Sequence, residues 1–366
     1  MNFSSDTVVP VAPAIMAALA EANRGASPSY GADELSARLE RMAADIFERP
    51  VAVFPVGTGT ACNALALSAM TPPYGAVLCQ AEAHIAVDEC GAPEFYTGGA
   101  KLIGVAGTDG KLAPADLAPF LTQRRADNVH AAQPAVFSIA QASELGRCYS
   151  PAEIGALAEA AHQAGLLVHM DGARFANAMA HLGCSPAEAS WRAGVDMLSL
   201  GATKNGAMNA ELVVCFRPEL AASLKYRRKR AGHLFAKMRY VSAQLVAYFT
   251  DDLWLHHAAQ ANRMAAQLAA GIAKIPEARL LYPVEANELF LHLPPALVAA
   301  LRQEGAAFYD WPGREAGTFR LVTSYVTTAE DVASFLAALA KVAGGAVQAR
   351  RGFVEDKTVQ TAVQEI

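Results

Sequence analysis

Seven short apolar runs, each followed by a stretch long enough to form a helix or loop, constrain this chain more than any other feature. VAVFPV (51–56), AVLC (76–79), KLIGVAG (101–107), PAVFSIA (134–140), LLVHMD (166–171), VDMLSL (195–200) and LVVCF (212–216) recur over the first 216 residues. They are continuous rather than alternating, so the strands they predict are covered on both faces, as in a mainly parallel sheet. The intervening segments carry helix signals. In SPAEIGALAEAAHQAG (150–165), Ser150 can cap, Pro151 suits the first turn and Gly165 can end the helix. Strands alternating with helices predict an α/β domain.

After about residue 250 the pattern changes. Helical segments now outnumber strands, of which NELFLHL (287–293) and FRLVTSY (319–325) are the clearest, and TAEDVASFLAALAKVAGG closes the pattern. This predicts a large domain over 1–250, including an N-terminal segment, and a small α+β domain over 251–345. The tail, 346–366, is polar and aperiodic, with the composition of a disordered segment. With 366 residues, 53% of them hydrophobic, the chain can bury a core of that size.

Charge and cysteine usage exclude several classes. A net charge of -5 gives no general attraction to nucleic acid or anionic membranes. The basic stretch LKYRRKRAGHLFAKMRY (224–240) reads by default as a solvated helix face. No apolar run approaches the roughly 20 residues of a membrane span, and MNFSSDTVVP lacks the regions of a signal peptide. The cysteines (Cys62, Cys79, Cys90, Cys148, Cys184, Cys215) form no CxxC pair and read as reduced core residues of a cytoplasmic protein, not as a disulfide frame. His256 and His257 are adjacent, so on a helix they diverge rather than chelate; no metal is expected.

In parallel sheets, ligands bind beyond the carboxyl ends of the strands, and three features fall there. GTGTA (57–61) follows the first strand; its glycines admit an anion and the helix behind it offers free N–H groups. An ordinary tight turn would read the same way, and Cys62 stands where a dinucleotide fingerprint has its third glycine. Asp171 ends LLVHM and could cap a helix or hold a pyridinium nitrogen protonated. Lys204, in LSLGATKNGAMNAELVV, is either a snorkelling lysine or an amine that forms a Schiff base. A phosphate cradle, a pyridinium partner and an imine-forming amine are together the set that pyridoxal phosphate requires.

The motifs SSDTV, SYGAD, GTGTACN, AEAHIAVDECGAPEF, HMDGARFANA, GATKNG and FRLVTSY span nearly the whole chain. Through them the sequence resembles the low-specificity L-threonine aldolases, phenylserine aldolases included, of the aspartate aminotransferase-like pyridoxal phosphate fold. HMDGARF followed by TKNG is the specific part. The resemblance implies that Lys204 is the Schiff-base lysine, Asp171 the pyridinium partner and His84 the imidazole stacked on the cofactor ring. It implies phosphate-loop roles for Gly59 and Thr60, and places Ser5, Arg174 and Arg320 around the substrate carboxylate, with Arg174 also beside the cofactor. His130, in DNVHAAQP, matches a second histidine near the substrate hydroxyl. Tyr30, in SYGAD, falls on the substrate side, in a region the family uses across a subunit boundary. Lys229 and Arg239 match groups that reach the phosphate of a neighbouring subunit's cofactor, so a homodimer or homotetramer with shared sites is implied.

The implied reaction is cleavage of L-threonine, L-allo-threonine or related β-hydroxy-α-amino acids to glycine and an aldehyde. The base for the hydroxyl proton is His84, His130 or a water they hold, and either Asp88 or Glu89 tunes the imidazole. The rivals are β-elimination or transamination on the same fold, a nicotinamide dehydrogenase that uses GTGTA for a pyrophosphate, and a cofactor-free binding protein. The last two leave Lys204 unexplained.

Overall fold

The computed structural model describes residues 1–122, 128–311 and 313–344; the polar tail 346–366 lies outside the described residues. All seven apolar runs form strands: β1 (Ala52–Val56), β2 (Gly75–Gln80), β3 (Lys101–Val105), β4 (Gln133–Ala140), β5 (Leu167–Gly172), β6 (Met197–Gly201) and β7 (Glu211–Cys215). They make one sheet in the order β1-β7-β6-β5-β4-β2-β3. The strands from β6 to β3 run parallel, whereas β7 is antiparallel to both its neighbours, β6 and β1. The reversal at β7 has a local cause. Residues 202–210 alone join β6 to β7, fewer than the dozen or so that a parallel crossover needs.

Helices cover both faces. The helix Gly59–Met70 is buried on all sides, from Ala61 through Ser68 and again at Met70, which fits a mostly apolar sequence with no charged residue. The helix Pro151–Gln163 opens with a capping box: the Ser150 hydroxyl accepts from the Glu153 amide, and Glu153 reaches back to the Ser150 amide.

The C-terminal part forms an antiparallel sheet of β8 (Arg279–Leu280), β9 (Glu288–His292), β10 (Tyr309–Asp310) and β11 (Thr318–Val322), in the order β10-β11-β9-β8. Leu289, Leu291, Phe319, Leu321, Phe335 and Leu339 form its core. Phe3 joins that core, packing edge-to-face on Phe335 at 5.3 Å. Its amide donates to the Ala307 carbonyl and its carbonyl accepts from Val322. The chain's first residues are therefore folded with its last, which brings Ser4–Asp6 to the junction of the two parts. The helix Leu253–Ile272 bridges the same junction: Trp254 and Ala258 lie in the main core, and Met264, Leu268 and Ile272 in the smaller one. Among the described residues no helix is long and apolar enough to cross a membrane.

Candidate active site

Asp171 is the next-to-last residue of β5, level with Ala140 on β4 and Ser199 on β6. The carboxyl ends of three parallel strands thus converge on it. Its side chain is 6% exposed. Oδ1 accepts from the Ala173 amide at 3.0 Å and Oδ2 from Asn63 Nδ2 at 2.8 Å. The next residue is glycine for want of space: a Cβ on Gly172 would lie 2.7 Å from Leu198 Cδ1 and 2.8 Å from the Ser199 carbonyl. At the end of β6, a Cβ on Gly201 would lie 2.5 Å from the Ala173 carbonyl. These glycines let the two strand ends pass in contact.

Lys204 occupies the short turn Thr203–Asn205 directly after β6. The turn is tied down on every side except at the lysine. Ala202 donates to Glu211 Oε2, the Asn205 amide group donates to Tyr248 Oη and the Trp254 carbonyl, and His257 Nδ1 donates to the Asn205 carbonyl. His257, stacked on Tyr325 at 4.3 Å, is a packing residue. Among the described residues the Lys204 amine has no hydrogen-bond or ion-pair partner. Its charge nonetheless acts on Asp6, His84 and Glu211, so the amine is free yet close to the acidic groups of the site.

His84 begins the single helical turn His84–Val87 after β2. Its amide donates to Glu144 Oε1 at 2.9 Å, and its ring Nδ1 donates to Glu89 Oε1 at 2.9 Å. Asp88 lies 3.6 Å from Nε2 on a carboxylate that is 80% exposed, whereas the Glu89 side chain is fully buried. Glu89 is therefore the imidazole's partner. That hydrogen bond, reinforced by the charge of Asp171 against burial and Lys204, holds His84 above the usual histidine range. Burial, with the Asp171 charge added, pushes the Glu89 carboxyl up although His84 and Asn63 both donate to it. Burial likewise lifts Glu144 to about 7.

Gly59 and Thr60 open the helix Gly59–Met70, where the Thr58 hydroxyl caps the Ala61 amide at 3.2 Å. Their own N–H groups are among the helix's first and have no intrahelical acceptor. A Cβ on Gly59 would meet nothing within 4 Å, so the approach to these amides is open.

Arg174 and Arg320 come together from opposite parts of the molecule, around Glu288. Arg174 grips Asp6 with Nε and Nη2 (2.8 and 3.2 Å) and lies 3.1 Å from Glu288 Oε2 through Nη1. Arg320 Nη1 donates to Glu288 Oε1 at 3.2 Å, its guanidinium lies 5.2 Å from the Trp311 ring centre, and its Nε is buried without a partner. Burial works against ionising Asp6, but Arg174 and Lys204 outweigh it and hold the carboxyl below the usual range. Ser5, half-buried beside Asp6, shares a 2.8 Å hydrogen bond with the Thr7 hydroxyl.

Four expected residues are not brought to this cluster within one chain. His130 is exposed in the turn before β4, its amide bonded to Asn128 Oδ1. The eight residues of β4 separate it from the carboxyl end, roughly 20–25 Å at the rise of a strand. Lys229 lies over the ring of Tyr30 at 4.6 Å on the surface, and Arg239 donates to the Gly25 carbonyl and to Tyr240. Among the described residues none of the four bonds to Asp171, Lys204 or His84.

Other members escaped the sequence reasoning: Asn63, Glu144, Asp6 and Glu288. Asn63 and Glu288 are polar residues inside or at the edge of apolar runs, the one local signal that could have flagged them, whereas Asp6 and Glu144 sit in polar loop sequence that offers none.

An unpaired amine, a buried carboxylate between strand ends, an imidazole near both, and an open helix N-terminus fit pyridoxal phosphate. The profile of the beta-eliminating lyase family matches residues 2–294. The low-specificity L-threonine aldolase of Pseudomonas aeruginosa is 43% identical over 331 residues, covering 90% of this chain and 94% of that protein. The solved threonine aldolase of Leishmania major superposes with a TM-score of 0.88 at 29% identity, covering 93% of this chain and 99% of that one. An aspartate aminotransferase of Rhodobacter sphaeroides shares the fold at 18% identity, with a TM-score of 0.68 over 94% and 92% of the two chains. These families depend on pyridoxal phosphate. Sequence, fold and the arrangement around Asp171 and Lys204 agree: the chain belongs to the beta-eliminating lyase family, among the low-specificity L-threonine aldolases.

Proposed function

We propose that the protein is a pyridoxal phosphate-dependent aldolase that cleaves L-threonine, L-allo-threonine and related β-hydroxy-α-amino acids such as phenylserine to glycine and an aldehyde. The observation that carries this reading is the imidazole of His84, hydrogen-bonded to buried Glu89 beside the charges of Asp171 and Lys204. A retro-aldol enzyme needs a base for a hydroxyl proton in addition to the groups every enzyme of this fold needs.

Lys204 would anchor the cofactor through its amine, Asp171 would keep its ring nitrogen protonated, and the amides of Gly59 and Thr60 would hold its phosphate. When bound, the cofactor supplies an electron sink for the pair left at Cα as Cα–Cβ breaks. Arg320 has its Nε edge unpaired and is the principal grip on the substrate carboxylate, since a guanidinium holds a carboxylate with two parallel bonds. Arg174, already held by Asp6 and Glu288, and Ser5 complete that wall. His84 donates from Nδ1 to Glu89, which leaves Nε2 as the acceptor for the β-hydroxyl proton.

His130, Tyr30, Lys229 and Arg239 serve a neighbouring subunit's site. The reading is supported by their exposure or their distance from the chain's own cluster, and it makes the protein a homodimer or homotetramer, assigned to the cytoplasm on its scattered cysteines, which form no CxxC pair. Apart from the first residues, which fold with the C-terminal part through Phe3, the division at 250/251 then separates the cofactor-binding part, up to 250, from a smaller part, 251–345, that contributes Arg320.

The test is product analysis with threonine, allo-threonine and phenylserine. Glycine and aldehyde in equal amounts support aldol cleavage; ammonia with a keto acid would establish β-elimination instead. Sedimentation of a fully active monomer would reject the shared-site assembly.

A further inference from the structure

Asn63 lies in the second turn of the helix Gly59–Met70, flanked on both sides by buried apolar residues (Cys62, Ala64, Leu65). Its amide nitrogen makes two hydrogen bonds, to Glu89 Oε1 at 2.9 Å and to Asp171 Oδ2 at 2.8 Å. Its carbonyl Oδ1 is buried without a partner. The side chain is therefore oriented by its donors alone. Glu89 Oε1 also accepts from His84 Nδ1 at 2.9 Å. A continuous path runs from the imidazole through Glu89 and Asn63 to Asp171, and Glu89, Asn63 and Asp171 are all buried.

Two buried carboxylates facing one another repel, and the charge of Asp171 adds to burial in favouring protonation of Glu89. A primary amide is the uncharged group that can donate to both at once; a hydroxyl has one proton to give, and a guanidinium would add charge. We infer that Asn63 is a positioning residue that couples Asp171 to the Glu89–His84 pair, so that the two halves of the site act as one electrostatic unit. The inference rests on the roles proposed above for Asp171 and His84, but its test does not depend on turnover.

Without Asn63, Glu89 loses a donor while its burial and the Asp171 charge remain. It then takes up a proton more readily, and His84 loses its anionic partner. The other charged groups facing His84 are Asp88 at Nε2, Glu144 at the backbone amide, Lys204 and Asp171. All are retained in an Asn63 variant, so a change in the imidazole reports the loss of the bridge.

The experiment is an NMR titration of the His84 imidazole in cofactor-free protein. In Asn63→Ala the midpoint should fall by roughly one pH unit, with Asn63→Ser intermediate because serine keeps one donor. Asp171→Asn should move the midpoint in protein that retains Asn63, and clearly less in the Asn63→Ala background. An unchanged midpoint in folded Asn63→Ala, or an equal response to Asp171→Asn in both backgrounds, would overturn the inference. If the alanine variant does not fold, Asn63→Ser carries the same comparison. Failure here leaves the product analysis untouched, and failure of the product analysis leaves the titration readable.

Discussion

His84 and His169 flank the same strand ends in opposite environments. His169 sits in β5, two residues before Asp171 and fully buried. Its Nδ1 pairs with the Ser138 hydroxyl on β4 at 2.9 Å and its Nε2 with the Ser199 hydroxyl on β6 at 3.0 Å. Both partners are neutral, so burial dominates and pushes the imidazole down to about 4. His84 is 39% exposed at the mouth of the site and bonded to a carboxylate, which holds it above the usual range. The charge of the partner, rather than the presence of a buried hydrogen bond, decides which histidine can handle protons. His169 is a pin across three strands, whereas His84 is poised to titrate.

The comparison is broken most directly by removing each ring. His84→Asn should slow threonine cleavage by about 10²–10⁴-fold, the usual contribution of a general base. The exchange of glycine's α-protons should fall much less, because glycine has no hydroxyl. Equal losses in the two rates would reduce His84 to packing.

The second test is pH. His169 has its folded value near 4 against an ordinary value of 6.5. Between those limits the unfolded chain binds the proton and the folded one does not, so unfolding takes up protons and stability rises with pH. The contribution is full above about 6.5 and is lost as pH falls toward 4, worth roughly 3 kcal/mol. Glu144, raised from 4.5 to about 7, acts in the opposite direction over an overlapping range. The difference between wild type and His169→Leu in urea unfolding at pH 4.5 and pH 7 isolates the histidine. Parallel stability curves would show that His169 is not held neutral.

A smaller effect is expected from His169→Leu at pH 7. The hydroxyls of Ser138 and Ser199 lose their partner inside the sheet, at a cost of roughly 1–3 kcal/mol. Adding Ser138→Ala and Ser199→Ala should recover most of it, with turnover per folded molecule little changed. Loss of turnover in a stable variant would make His169 part of the proton path.

His130, exposed and far from its own chain's cluster, supplies a third environment and the smallest change. His130→Asn should lower cleavage by less than about tenfold, below the usual range for a general base, and through the oligomer. A mixture with Lys204→Ala subunits, allowed to exchange, should regain activity where an intact His130 faces an intact Lys204. Absence of any recovery would argue that His130 has no role in a neighbour's site.

The seven strands were legible because each is a continuous apolar run bounded by turn residues, a pattern that depends only on neighbours in the chain. Asp171 and Lys204 stood out for the same reason: a charge at the end of an apolar strand has to have a purpose. The motifs around them carried the family. The partners of these residues were decided by tertiary structure. Asn63 and Asp171 are 108 positions apart, and Glu288 meets Arg174 and Arg320 only because β9 and β11 pair beside the end of β5. Even the nearby choice between Asp88 and Glu89 was beyond the local pattern. Helical spacing favours Asp88, four residues after His84, but the helix ends at Val87, so the spacing rule lapses and Glu89 turns inward. Burial and periodicity are properties of a segment, whereas the closure of distant carboxylates onto one amide or one guanidinium depends on where the whole chain comes to rest.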